Sequence, residues 1–131
     1  MLLLGLERAG KTHMLYTYLV GEGGMHTTKK LKDTLGMNYE HAVETPSNFD
    51  VWDISGNPLL RKNWTLYIKN IPVSGVLYLV NVSEDIERLR ESKKMLHRVL
   101  NEPALQEAVL VVVYNNKPNI GGVEAKGQNE G

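Results

Sequence analysis

Cysteine is absent from the 131 residues, which excludes disulfide staples, thiolate metal sites and cysteine nucleophiles and is compatible with a reducing compartment. An excess of charge is absent too. Fifteen Lys and Arg balance fifteen Asp and Glu, so neither a basic nucleic-acid surface nor a polyacidic tail is expected. The longest apolar runs, Met1 to Leu4 and Val109 to Val113, fall far below the roughly 20 residues of a membrane-spanning helix. The start lacks a basic leader region and has Leu2 where a myristoylated chain needs glycine, so neither a secretory signal nor N-myristoylation is supported. The four histidines, at positions 13, 26, 41 and 97, share no metal-ligand spacing and complete no Ser/His/Asp set.

What remains is one domain of ordinary composition, 42% hydrophobic and 23% charged, enough for a real core. The cytoplasm is the expected location. Met1 to Leu4 reads as a strand, followed by the glycine-containing GLERAGKT and a helix from His13 to Val20. Residues 21 to 34, which open with three glycines in four positions, read as loop. Met37 to Thr45 and Phe49 to Asp53 flank the turn cluster Pro46, Ser47 and Asn48, the pattern of a β-hairpin.

Pro58 is expected to start a short helix with Leu59, Trp64 and Ile68 on one face. Val76 to Val82 and Val109 to Tyr114 are almost wholly apolar, as strands buried on both faces of a parallel sheet are. Between them Ser83 is placed to cap a helix carrying Ile86, Leu89, Leu96 and Leu100 at helical spacing. From Ile120 the glycine-rich chain reads as a disordered tail. Strands alternating with helices imply a three-layer α/β fold with a mainly parallel sheet and a ligand at the strands' carboxyl ends.

Gly5, Leu6, Glu7, Arg8, Ala9, Gly10, Lys11 and Thr12 fit G-x-x-x-x-G-K-[ST] in the strand-to-helix setting that motif requires. Backbone N–H groups there wrap phosphates, the lysine reaches the outer phosphates and the threonine hydroxyl ligates Mg²⁺. The competing explanation, a glycine turn that merely joins strand to helix, leaves Lys11 without a reason. Asp53 and Gly56 in WDISG suit a carboxylate that holds Mg²⁺ through water and a backbone that approaches a γ-phosphate. Alone, they are also a strand-ending acid and a turn glycine. Asn115 to Asn119 forms a polar cluster at a strand end, either a base site or an ordinary turn.

Taken in order, GLERAGKT, DTLGMNYE, FDVWDISGN and NNKPN resemble the Arf and Arf-like branch of the Ras-superfamily small GTPases, from Leu2 to about Asn119. The resemblance implies a P-loop GTPase domain over residues 1–119, a GTP/GDP and Mg²⁺ site and a role as a nucleotide switch in membrane traffic. It implies Gly5 to Thr12 as the phosphate loop, Thr34 as the switch threonine on Mg²⁺ beside Thr12 and Asp53, and Gly56 as the start of switch II. Asn116, Lys117 and Asn119 fall on the base-binding motif, and Met37, Trp52 and Tyr67 on an effector-binding triad; ordinary core packing is the alternative for these three.

Asn57 stands where the resemblance implies the water-orienting glutamine, one methylene shorter, so hydrolysis is expected to be slow or absent. Asn119 replaces the carboxylate that reads guanine, which weakens base selectivity. The expected N-terminal membrane helix, last strand and last helix have no counterpart here, which leaves Val109 to Tyr114 as an exposed sheet edge. Peripheral contact with endomembranes then needs another source. Two alternatives stay open beside the GTP switch: an interaction module indifferent to nucleotide, and a P-loop protein that uses another nucleotide.

Overall fold

The computed structural model describes residues 1–19, 37–42 and 49–116. Strand β1 (Leu2–Gly5) runs into the phosphate-type loop and helix α1 (Lys11–Met14), which continues as a π-helical turn over Leu15–Leu19. Strands β2 (Met37–Ala42) and β3 (Phe49–Ile54) follow, then helix α2 (Trp64–Asn70), strand β4 (Gly75–Asn81), helix α3 (Ile86–Leu100) and strand β5 (Val109–Asn115). The five strands form one sheet in the order β2-β3-β1-β4-β5. Only the β2–β3 pair is antiparallel; β1 pairs in parallel with β3 and β4, and β4 with β5.

Central β1 explains its own sequence. Leu2, Leu3 and Leu4 are all fully buried, and each contributes about 2 kcal/mol of apolar burial. Leu2 and Leu4 join Trp64, Ile68, Tyr78 and Val99 under α2 and α3, whereas Leu3 joins Leu15, Tyr16, Val51 and Leu79 under α1. Period-two alternation along one strand therefore feeds both faces, the condition for a three-layer α/β fold. Among the described residues, no helix is long and apolar enough to cross a membrane.

Several local expectations are corrected. Helix α1 begins at Lys11 rather than His13, because Gly10, at φ 100°, turns the chain directly into it. No helix starts at Pro58. Asn57 Oδ1 accepts the Leu59 N–H at 2.9 Å and the Asn57 carbonyl accepts from Leu60 and Arg61, so a turn and a 3-10 segment at Arg61–Asn63 precede α2. Leu59 is 78% exposed and shares no face with buried Trp64 and Ile68.

Asp85, not Ser83, caps α3 and accepts the Arg88 N–H at 2.9 Å. Ser83 is drawn to Asn81 Oδ1 by its own N–H and hydroxyl. On α3, Ile86 and Leu100 are exposed, and the buried stripe runs through Ser92 and Val99 with Met95 and Leu96 half-buried. Strand β5 is not buried on both faces: Val109, Val111 and Tyr114 are exposed, since it is the last strand in the described sheet. The expected loop over 21–34, the turn at Pro46 to Asn48 and the tail from 120 lie outside the described residues.

Candidate functional site

The loop from Gly5 to Thr12 lies at the carboxyl end of β1, between β3 and β4. Gly5 is at φ 149°, and a Cβ there would lie 2.5 Å from the Leu79 carbonyl oxygen, so only glycine lets the loop leave β1 at this point. Arg8, at φ 63°, is the one non-glycine residue in the left-handed region among those described. Lys11 is 6% exposed and arches back over the loop, donating from Nζ to the carbonyls of Gly5 at 3.1 Å and Leu6 at 2.9 Å.

Asp53 approaches from the end of β3. Its carboxylate is fully buried, and Oδ2 accepts from the Thr12 hydroxyl at 2.5 Å and from Asn38 Nδ2 at 3.3 Å. Oδ1 has no hydrogen-bond partner among the described residues. Burial pushes the carboxyl above its ordinary range, against the lowering effects of Thr12, the Lys11 cation and Asn38. A buried carboxylate oxygen left without a donor, beside a hydroxyl, is the hard-oxygen donor set that suits Mg²⁺. No group of three or more His, Asp or Glu that could cage a metal occurs among the described residues, and Mg²⁺ held with a nucleotide needs only one or two carboxylates.

Gly56 closes the site from the third side. A Cβ on it would lie 2.3 Å from the Gly5 carbonyl oxygen and 2.4 Å from the Glu7 nitrogen, so its backbone rests directly on the loop. The backbone on either side of it is pinned by Trp64, read from the sequence only as a residue on a helix face, and by Arg61, which the sequence did not flag. Trp64 Nε1 donates to the Ser55 carbonyl at 2.8 Å, and Arg61, only 6% exposed, donates from Nε to the Gly56 carbonyl at 2.7 Å.

From the end of β5, Asn115 Nδ2 donates to the Ala9 carbonyl at 3.0 Å. This bond ties the end of β5 to the phosphate loop through Asn115, whereas Asn116, expected in the base-binding motif, is exposed just past the strand. Thr34, Lys117 and Asn119 lie outside the described residues. Lys11, Thr12, Asp53 and Gly56 are thus brought together, while Asn57 is engaged in its turn with Leu59.

A family model, the ADP-ribosylation factor family, matches residues 1–129. The chain belongs to the ADP-ribosylation factor family. Its fold is that of a small GTPase: the solved structure of the Arl6 BBS3 small GTPase from Trypanosoma brucei, with a bound nucleotide analogue GppNp, superposes with a TM-score of 0.60 at 17% identity, over 87% of this chain and 84% of that one. In this member of the family, the positions of the expected effector triad differ in exposure. Met37 is 40% exposed, while Trp52 and Tyr67 are half-buried against the core under α2 and α3. Tyr39, which the sequence reading passed over, lies on Trp52 with ring centroids 4.5 Å apart and is 48% exposed.

Proposed function

We propose that this chain binds GTP and GDP with Mg²⁺ at the loop from Gly5 to Thr12 and acts as a nucleotide-dependent switch in membrane traffic, with slow hydrolysis. The observation that carries this reading is the Thr12–Asp53 pair beside Lys11, with one buried Asp53 oxygen left without a partner. A divalent cation supplies charge neutralisation of the phosphates there. Thr12 and Asp53 would hold it together with Thr34, Lys11 would hold the outer phosphates, and Gly56 would offer its N–H to a third phosphoryl group. Asn116, Lys117 and Asn119 would face the base, with Asn115 bracing the phosphate loop at Ala9.

Slow hydrolysis follows from Asn57. Its amide is one methylene shorter than glutamine, and its oxygen is held by the Leu59 N–H, so it is poorly placed to orient a water. Met37, Trp52 and Tyr67 would meet effectors or regulators, and association with endomembranes would be peripheral. One observation favours a second reading, an interaction module indifferent to nucleotide: Gly56 rests on the loop and Lys11 is bonded to the loop's own carbonyls.

Titration with a fluorescent GTP analogue in Mg²⁺, with unlabelled GTP and ATP as competitors, separates these. The switch reading expects saturable binding that GTP displaces and ATP does not, lost in Lys11→Ala and in chelator. Absence of binding by a folded sample refutes it in favour of the interaction module. Equal displacement by ATP refutes guanine selectivity.

A further inference from the structure

Two arginines converge on the phosphate site from outside it, and one carboxylate joins them. Arg61 donates from Nη1 to Glu91 Oε1 of α3, at 2.5 Å. Arg88, one turn earlier on α3, donates from Nη1 to Glu91 Oε2 at 3.4 Å and from Nη2 to the Glu7 carbonyl of the phosphate loop at 2.8 Å. The Arg61 side chain is 7% exposed and that of Glu91 40%. The chain of bonds therefore runs from the Gly56 carbonyl through Arg61, Glu91 and Arg88 to the Glu7 carbonyl.

The consequence lies in the peptide planes. A trans peptide is planar, so pinning its carbonyl also sets the direction of its N–H. Trp64 holds the Ser55 carbonyl and Arg61 the Gly56 carbonyl, so the peptides on both sides of Gly56 are fixed, and the direction of its N–H depends on both bonds. Arg88 pins the Glu7–Arg8 peptide, where the loop bears the left-handed Arg8. The two sides of the phosphate site, loop and switch, thus share one anchor on α3.

We propose that Glu91 is a positioning residue that, through Arg61 and Arg88, holds the Gly56 and Glu7 peptides in register and so sets the discrimination between a nucleoside triphosphate and a diphosphate. This rests on the reading of the loop as a nucleotide site. A diphosphate meets the loop alone, while a third phosphoryl group also needs the Gly56 N–H. Removing Glu91 leaves the Arg61 cation buried without its carboxylate, which is costly enough to draw the side chain toward water and away from Gly56.

The test compares wild type with Glu91→Ala, Glu91→Gln and, as a fold control, Glu87→Ala, which breaks a solvent-exposed pair with Arg90 on the same helix. Affinities for fluorescent GDP and for a non-hydrolysable GTP analogue are measured, together with hydrogen exchange of residues 5–10 and 55–61 in the nucleotide-free protein. In Glu91→Ala, the triphosphate affinity is expected to fall about tenfold further than the GDP affinity, the scale of one charge-assisted hydrogen bond, because GDP loses only the part carried by the Glu7 peptide, and exchange is expected to be faster in both segments. Glu91→Gln, which keeps an acceptor for Arg61, should recover part of the ratio.

Equal loss for both nucleotides, or an unchanged ratio, overturns the proposal even if exchange quickens, because a merely structural salt bridge does the same. Failure of the wild type to bind either nucleotide overturns the nucleotide reading itself, and is recognised by its appearance without any substitution.

Discussion

Replacing Gly56 with Ala would place a methyl carbon 2.3 Å from the Gly5 carbonyl oxygen and 2.4 Å from both the Glu7 nitrogen and the Leu6 carbonyl carbon. All three are backbone atoms, so no rotamer change relieves the overlap. Ordinary contact lies near about 3.5 Å, and the switch backbone and the loop must separate by about 1 Å to reach it. Overpacking costs about 1–3 kcal/mol, and three simultaneous backbone contacts put this site at the upper end. A displacement of that size also lifts the Gly56 carbonyl off Arg61 Nε, now at 2.7 Å. Urea unfolding should show a midpoint lower by about 1–2 M, given a slope of about 1–3 kcal/mol per M, and triphosphate affinity should fall while diphosphate affinity holds. A variant with the wild-type midpoint and wild-type triphosphate affinity would refute the close packing of Gly56 on the loop.

Asp53→Asn should stabilise the nucleotide-free protein at pH 7 by about 1–2 kcal/mol, the scale of an uncompensated buried polar group. Because burial raises the folded-state value above the ordinary 3.8, the penalty of the charged form sets in as pH rises through that window, so the gain should vanish on acidification below it. The same variant should lose the Mg²⁺ dependence of nucleotide binding, read by titration with and without chelator. Asn115→Ala should cost about 1 kcal/mol through loss of the bond to Ala9, while Asn116→Ala should stay within about 0.5 kcal/mol in the same denaturation assay, as surface changes do. Tyr78→Phe removes a fully buried hydroxyl that donates to the Ser92 carbonyl at 2.8 Å, and thermal unfolding should report a loss of about 1 kcal/mol.

The elements legible in the sequence are those set by local pattern. G-x-x-x-x-G-K-[ST] names a backbone shape, and Gly5, Gly10, Lys11 and Thr12 take that shape because only glycine tolerates the angles and the approach to Leu79. The all-apolar LLL of β1 announces a strand, and its burial on both faces follows from its place at the sheet's centre. The same apolar signature on β5 overstates its burial, because edge position is a property of strand order, which no single strand encodes; the resemblance, not the strand's own pattern, gave Val109 to Tyr114 as an exposed edge.

The clamp behind the site was illegible for a related reason. Arg61 and Glu91 are 30 residues apart, and Arg88 and Glu7 are 81 apart; on a helix such residues read as a solvated face until the fold brings them together. Asn115 was separable from Asn116 only by strand parity. In register with β4, Asn115 pairs with Asn81 as the last residue of β5, and its side chain alone of the two reaches Ala9.

Thermal unfolding of the purified chain in Mg²⁺, with and without a non-hydrolysable GTP analogue, tests most directly the claim that this loop is a nucleotide site. At a ligand concentration of 100 times Kd the bound state should be more stable by about 2.7 kcal/mol, which for a domain of this length raises the midpoint by about 10 °C. The rise should disappear in chelator and in Lys11→Ala. An unchanged midpoint in a cooperatively unfolding sample, at every analogue concentration reached, would contradict the account.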